Sequence, residues 1–201
     1  NFSAPVDLHF DYSEQELAFL LQYETNGFNQ WQATQTLLER ILLDDQPSEI
    51  YIEAMLNTLP DLIQKDPLLA SRLFDVPAEG YLGSRIDTDY NPVMIQEKRD
   101  ALLHKLARAF GATAKEIYLG LDPELQSDFS QAMGVRALKN IMLMLIARQG
   151  DESAFELAGQ QYQNTGNMSE RLGALRVLVW NDAPQAKAFL DDFYNRFKDE
   201  A

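Results

Sequence analysis

Four prolines in this chain stand directly or closely behind an aspartate or asparagine: Asp66-Pro67, Asn91-Pro92, Asp122-Pro123 and, more loosely, Asp182-Ala183-Pro184. Proline has no N–H to give to a strand ladder, and its fixed φ suits the first turn of a helix. The Asp or Asn ahead of it accepts from amides that a helix start leaves free. These pairs therefore mark element starts. Between them, apolar residues recur at helical spacing almost without a break. That combination confines the chain to an all-α fold.

The helices can be placed one by one. Ser13-Glu14-Gln15-Glu16 reads as a capping box, with Tyr12 and Leu17 in staple positions across it. Leu17, Leu20 and Leu21 form the first stripe, and Gly27 is expected as a left-handed stop. A second helix is predicted over about 30–44, burying Trp31, Leu37, Leu38 and Ile41. A third starts near Ser48 and carries Ile50, Ile52, Met55, Leu56 and Leu59 as far as Pro60. The helix after Pro92 is long, with Ile95, Leu102, Leu106 and Phe110 on one face and Gly111 as its stop. Thr113-Ala114-Lys115-Glu116 restarts a shorter one.

The stretch 130–148 is apolar nearly all round its second half, so it is expected at the centre. Residues 152–164 form a further helix, ended by Gly166, and 172–180 a buried one that includes Trp180. The last helix, from Pro184, puts Phe189, Leu190, Phe193 and Phe197 on one face. Val6, Leu8 and Phe10 alternate with polar residues and suit one short strand. Residues 75–91 read as the one long loop. The proline-marked starts fall unevenly at 67, 92, 123 and 184, which fits no fixed repeat. The expected fold is irregular antiparallel helix pairs in a HEAT-like α-superhelical array, with the one strand at the N-terminus.

Composition closes several doors. There is no cysteine among the 201 residues, hence no disulfide, thiolate metal site or thiol nucleophile. The only histidines are His9 and His104, too few for a three-histidine site. Seventeen Lys and Arg against thirty-one Asp and Glu give a formal charge of −14, which repels phosphate backbones and anionic lipid. No nucleic acid and no membrane partner are expected. The longest apolar run, Ile141 to Ala147, is far short of the roughly 20 residues that span a bilayer. No targeting segment is visible at Asn1, and a cytoplasmic location is the expectation.

A search for chemistry finds no complete constellation. His104-Lys105-Leu106-Ala107-Arg108 puts Arg where a zincin helix needs its second histidine, so His104 reads as a surface or boundary residue. His9 reads the same way. Asp87-Thr88-Asp89-Tyr90-Asn91 opens like a calcium loop, but Pro92 and Lys98 stand where Gly and a bidentate Glu belong. Asp89 and Asn91 read better as turn and cap residues. Gly80-Tyr81-Leu82-Gly83 lacks the lysine of a phosphate loop. Lys98, Arg99, Lys105 and Arg108 cluster on one helix and read as a solvated face paired with nearby acids.

One set of motifs, in order along the chain, carries a resemblance. These are Phe2-Ser3-Ala4-Pro5-Val6, Ser13 through Leu21, Phe28-Asn29-Gln30-Trp31-Gln32-Ala33 with Leu37-Leu38, Arg136-Ala137-Leu138-Lys139-Asn140, and Asn167-Met168-Ser169 with Ala174-Leu175. Together they resemble the junction and C-terminal helical domain of the bacterial aminopeptidase N family of zinc metallopeptidases. The resemblance spans nearly the whole chain and is weakest over 75–91. It implies residues 1–12 as a junction from a preceding β domain. Residues 13–201 would then be the first part of the helical domain, truncated at its C-terminal end.

The family's HExxH zinc helix, its Gly-x-Met-Glu-Asn segment and its catalytic tyrosine have no counterpart here. No catalytic, cofactor-binding or metal residue can therefore be carried over. What the resemblance implies is a supporting part. The domain would cap the active site of a parent that removes N-terminal residues from peptides, and would limit access to its chamber. Zinc would belong to that parent and not to this fragment. The partners would be the catalytic and β-sandwich domains ahead of it, and peptides through the chamber. A free-standing α-solenoid adaptor without enzymatic activity is the alternative from the helix pattern alone. A further expectation concerns Leu190, Phe193 and Phe197: part of that face should lie exposed.

Overall fold

A computed structural model describes residues 10–86, 91–150 and 152–200. The chain builds α1 (Glu14–Tyr23), α2 (Gly27–Leu43), α3 (Glu49–Lys65), α4 (Pro67–Arg72), α5 (Glu79–Gly83) and α6 (Pro92–Gly120). After a 3₁₀ turn at Pro123–Leu125 come α7 (Phe129–Arg148), α8 (Ser153–Asn164), α9 (Met168–Trp180) and α10 (Ala186–Phe197). There is no strand among the described residues. The strand expected at Val6 and Leu8 lies outside them, and Phe10 to Tyr12 are non-helical.

The caps decide where most helices begin. Ser13 closes the capping box: its side chain accepts from the Glu16 amide at 3.2 Å, and Glu16 accepts from the Ser13 amide at 2.8 Å. Asp66 and Asn91 cap α4 and α6 with proline in the first turn, as their sequence signature requires. Asp122-Pro123 behaves differently. It supports only the 3₁₀ turn, and α7 starts six residues later on an Asp128 cap. Asp182-Ala183-Pro184 likewise precedes α10, which begins at Ala186.

Two punctuation marks are corrected. Gly27 does not stop α1; it opens α2, because Asn26 accepts from the Phe28 and Asn29 amides and caps the new helix. A Cβ at Gly27 would stand 3.0 Å from Leu69, so its smallness serves a close approach. Pro60 does not end α3, which runs through it to Lys65. A proline inside a helix costs about 3 kcal/mol. Buried Leu59, with Leu62 and Ile63 packed on the core just beyond, holds the last turn against that cost. Gly111 does interrupt α6, with φ +34° and ψ −121°, and the helix resumes in a new direction. Within 75–91, expected as one long loop, α5 forms and buries Leu82 completely.

The helices pack as irregular pairs. The first unit is α1 against α2 and α3; α6 pairs with α7, α8 with α9, and α10 closes on α9. The centre is α7, which touches α4, α6, α8 and α9 and buries Val135, Leu138, Met142, Leu143, Leu145 and Ile146. The expected face of α3 is observed in part, with Met55 and Leu59 buried. Tyr51 and Ala54 are buried, whereas Ile50 and Ile52 are half-buried and Leu56 is exposed. Tyr51 is fully enclosed, and its hydroxyl donates to the Leu73 carbonyl at 2.7 Å. On α10 Phe189 packs edge-on to Tyr162, with centroids 4.9 Å apart, while Leu190 remains 42% exposed. The expected exposure of that face is therefore observed.

Gly134 lets α7 approach α4 closely: a Cβ there would meet the Leu68 backbone nitrogen at 2.6 Å. Gly134→Ala should push the two helices apart and lower stability by about 1–3 kcal/mol. Urea unfolding should show a lower midpoint at unchanged slope; an unaltered midpoint would show that the approach carries no constraint.

Candidate functional site

The motifs that stood out in the sequence converge on one polar seam. Asn140 on α7 donates to the Ser169 carbonyl at 3.0 Å and accepts from Gln161 of α8 at 2.8 Å. Gln161 also donates to the Glu170 carbonyl at 2.8 Å, and its side-chain oxygen accepts from the Tyr118 hydroxyl at 3.1 Å. Glu170 is buried and accepts from Thr165 at 3.0 Å, with Lys139 at 3.9 Å supplying the opposite charge. Asn167 caps α9 by accepting from the Ser169 amide. So Arg136–Asn140 and Asn167–Ser169, far apart in sequence, are joined by the α7–α8–α9 contact. Burial first, and the Glu170 charge second, push the Tyr118 phenol up to about 12.

A cleft of about 500 Å³ opens beside this seam. Its floor is α7, through Asn140, Ile141, Met144 and Arg148. One wall is the first half of α6, with Asp100 and His104. The other is α9, with Ser169, Gly173, Arg176, Val177 and, at its C-terminal end, Trp180. Arg148 Nη2 lies 3.3 Å from Asp100 Oδ1 across the floor. His104 Nδ1 donates to the Arg148 carbonyl at 3.2 Å, holding the ring against the end of α7. Arg176 makes no hydrogen bond or ion pair among the described residues. The arrangement offers an apolar floor beside cationic groups, which suits binding.

The structure places the residues singled out from sequence as follows. His104 is an exposed residue, as expected, but it lines the cleft. His9 and Asp87 to Tyr90 lie outside the described residues, while Asn91 is the cap of α6. Gly80 to Gly83 form α5. Lys98 pairs with Asp45 at 2.8 Å and Lys105 with Glu49 at 3.9 Å, while Arg99 donates to the Pro77 carbonyl. Among the described residues no group of three His, Cys, Asp or Glu side chains is placed to hold a metal. With Arg108 one turn after His104, the residues here do not fit a zinc ion.

Sequence reasoning missed Arg148, Arg176 and Trp180. Trp180 was expected in the core and is 69% exposed. The apolar run Val177-Leu178-Val179-Trp180 ends at the last turn of α9, where the partner helices no longer cover it. An arginine beside a terminal tryptophan, Arg176 and Trp180 one helical turn apart, was the available signal.

Two predictions follow from the seam. A Cβ at Gly173 would run into the Asn140 amide, so Gly173→Ala and Asn140→Ala should each cost about 1–3 kcal/mol. Their double variant should cost less than the sum, because Ala at 140 makes room for the added methyl; strict additivity in urea unfolding would contradict the coupling. The Tyr118 phenol holds its proton longer folded than unfolded, where its pKa is about 10. The stability it contributes is whole below about pH 10 and is lost as pH rises to about 12. Tyr118→Phe should make unfolding midpoints fall less steeply over that range, and an equally steep fall would refute the assignment.

Residues 14–201 match the family described as a domain of unknown function (DUF3458_C) with ARM repeats. Aminopeptidase N of Escherichia coli (strain K12) is 26% identical over 208 aligned positions, covering 98% of this chain and 23% of that protein. Aminopeptidase N of Caulobacter vibrioides is 28% identical over 99% of this chain and 24% of that protein. The crystal structure of Legionella pneumophila aminopeptidase A superposes with a TM-score of 0.82 at 22% identity, over 98% of this chain and 25% of that one, which is a likeness of fold. The chain thus spans about a quarter of the length of the relatives it matches. With all but its first thirteen residues aligned to the family and an irregular all-α array to match, the chain belongs to the DUF3458_C ARM-repeat family.

Proposed function

We propose that this chain is the non-catalytic helical domain of a zinc-dependent aminopeptidase that removes N-terminal amino acids from peptides. The observation that carries the reading is the pairing of two coverages. Nearly the whole chain aligns with aminopeptidase N, while taking up about a quarter of it. The lack of a zinc-binding pattern in the sequence is consistent with catalysis residing elsewhere in the parent. The zinc belongs, in this reading, to the catalytic domain.

The domain's part is mechanical. A rigid helical array placed over an active site limits what enters it, so peptides pass and folded proteins do not. Residues 1–12 join it to a preceding β domain, and residues 13–201 are its helical body, which continues beyond Ala201 in the parent. Its partners are the catalytic and β-sandwich domains of that parent, with peptides reaching it through the enclosed chamber. The parent works in the cytoplasm; no described helix is long and apolar enough to cross a membrane.

The reading frame around this sequence tests the proposal. The expected finding is an HExxH motif upstream in the same frame. A start codon directly before Asn1 and a stop directly after Ala201 would overturn it in favour of a free-standing solenoid. The purified chain, given zinc and alanyl-p-nitroanilide, should release no nitroaniline above the buffer rate. Turnover that survives purification would overturn the non-catalytic assignment.

A further inference from the structure

We infer that the cleft between α6 and α9 binds a carboxylate-bearing peptide, with Arg176 taking the carboxylate and Trp180 and Met144 taking the apolar side chain beside it. The inference concerns this chain's own cleft and does not rest on the domain reading above.

Charge is the first argument. The chain as a whole carries a formal −14, so two arginines lining one cleft run against the trend of its surface. Arg176 has no partner among the described residues, yet it lines the cleft. Arg148 is tied to Asp100, which fixes a second guanidinium in the floor. Two arginines against one carboxylate leave the cleft cationic in an anionic molecule, and such a contrast favours and orients an anionic ligand. Arginine also presents a planar fork that fits a carboxylate with two parallel N–H···O bonds.

Shape and apolar surface are the second argument. A volume of about 500 Å³ lies within the range of ligand pockets. Ile141, Met144 and Val177 line it beside the charges, so a bare inorganic anion would leave that surface wet. Trp180 is 69% exposed on the rim, an amphipathic ring of the type that anchors ligands. The ligand that satisfies both arguments carries a carboxylate and an apolar side chain within a few ångströms. A peptide supplies both, the carboxylate coming from a Glu or Asp side chain or from the C-terminus.

Calorimetric titration of the 201-residue chain separates these sources. The probes are acetyl-Leu-Phe-Glu-Leu-amide, the same peptide with Gln for Glu, and the Gln peptide with a free C-terminal acid. At least one carboxylate-bearing probe should bind saturably, with a Kd below about 1 mM. The uncharged Gln amide should bind about tenfold more weakly. The Glu amide as the tighter ligand assigns the site to acidic side chains, and the free acid as the tighter one assigns it to C-termini.

Arg176→Ala and Arg176→Gln should each weaken the tighter probe about tenfold, and Trp180→Ala by a similar factor, with unchanged far-ultraviolet circular dichroism. Both side chains are exposed, so the fold should tolerate these changes. Equal binding of all three probes, no saturable binding by any, or full affinity in folded Arg176 variants would overturn the inference.

Discussion

Asn140 is the polar residue that the central helix must satisfy, and the second half of the array is arranged around it. Asn140 is half-buried at the margin of the cleft, on a helix that touches four others. Its buried partner Gln161 would cost on the order of 1–3 kcal/mol if left unpaired. Asn140 fixes two neighbours at once: the start of α9 through the Ser169 carbonyl, and the middle of α8 through Gln161. Gly173 is bare where the amide lies. Through Gln161 the same chain of contacts reaches Tyr118 in the second half of α6. Four helices therefore share one register-setting cluster, which apolar packing alone would leave free to slide.

That cluster also shapes the surface. With α9 held along α7 by its first turn, its last turn stands beside the C-terminal end of α7. Arg176 and Trp180 are carried to the cleft by that placement. The kink at Gly111 lets the first half of α6 take its own direction, and it brings Asp100 and His104 to the opposite wall. Gln149 braces the kink by donating to the Gly111 carbonyl at 3.2 Å. The cleft is thus a product of the fold's rigid elements, with no side chain from the connecting loops except Asn181 just after α9.

Local chemistry was the legible part of the sequence. The Ser13 capping box, the Asp66 and Asn91 caps with their prolines, and the Gly111 interruption act within a few residues, so no tertiary information is needed to see them. Signals that depend on neighbours were misleading. Gly27 carries the same glycine signature whether it ends one helix or opens the next, and Asn26 and Leu69 decide between them. Pro60 breaks an isolated helix, yet the core beyond it holds α3 together. Burial was misjudged in the first turn of α3, because Tyr51 hides its ring and still finds a partner for its hydroxyl at Leu73.

The sequence by itself determined that this chain is helical, where most helices start, and that it carries no HExxH pattern. Those properties are written in local dihedral preferences, capping groups and residue types. Only the tertiary structure decided that Asn140, Gln161 and Glu170 form one seam. It also decided that Arg148, Arg176 and Trp180 share a cleft. The reason is that a side chain's role on a helix depends on which neighbour covers its face. Periodicity gives the face, and the packing of α7 against α6, α8 and α9 gives the neighbour.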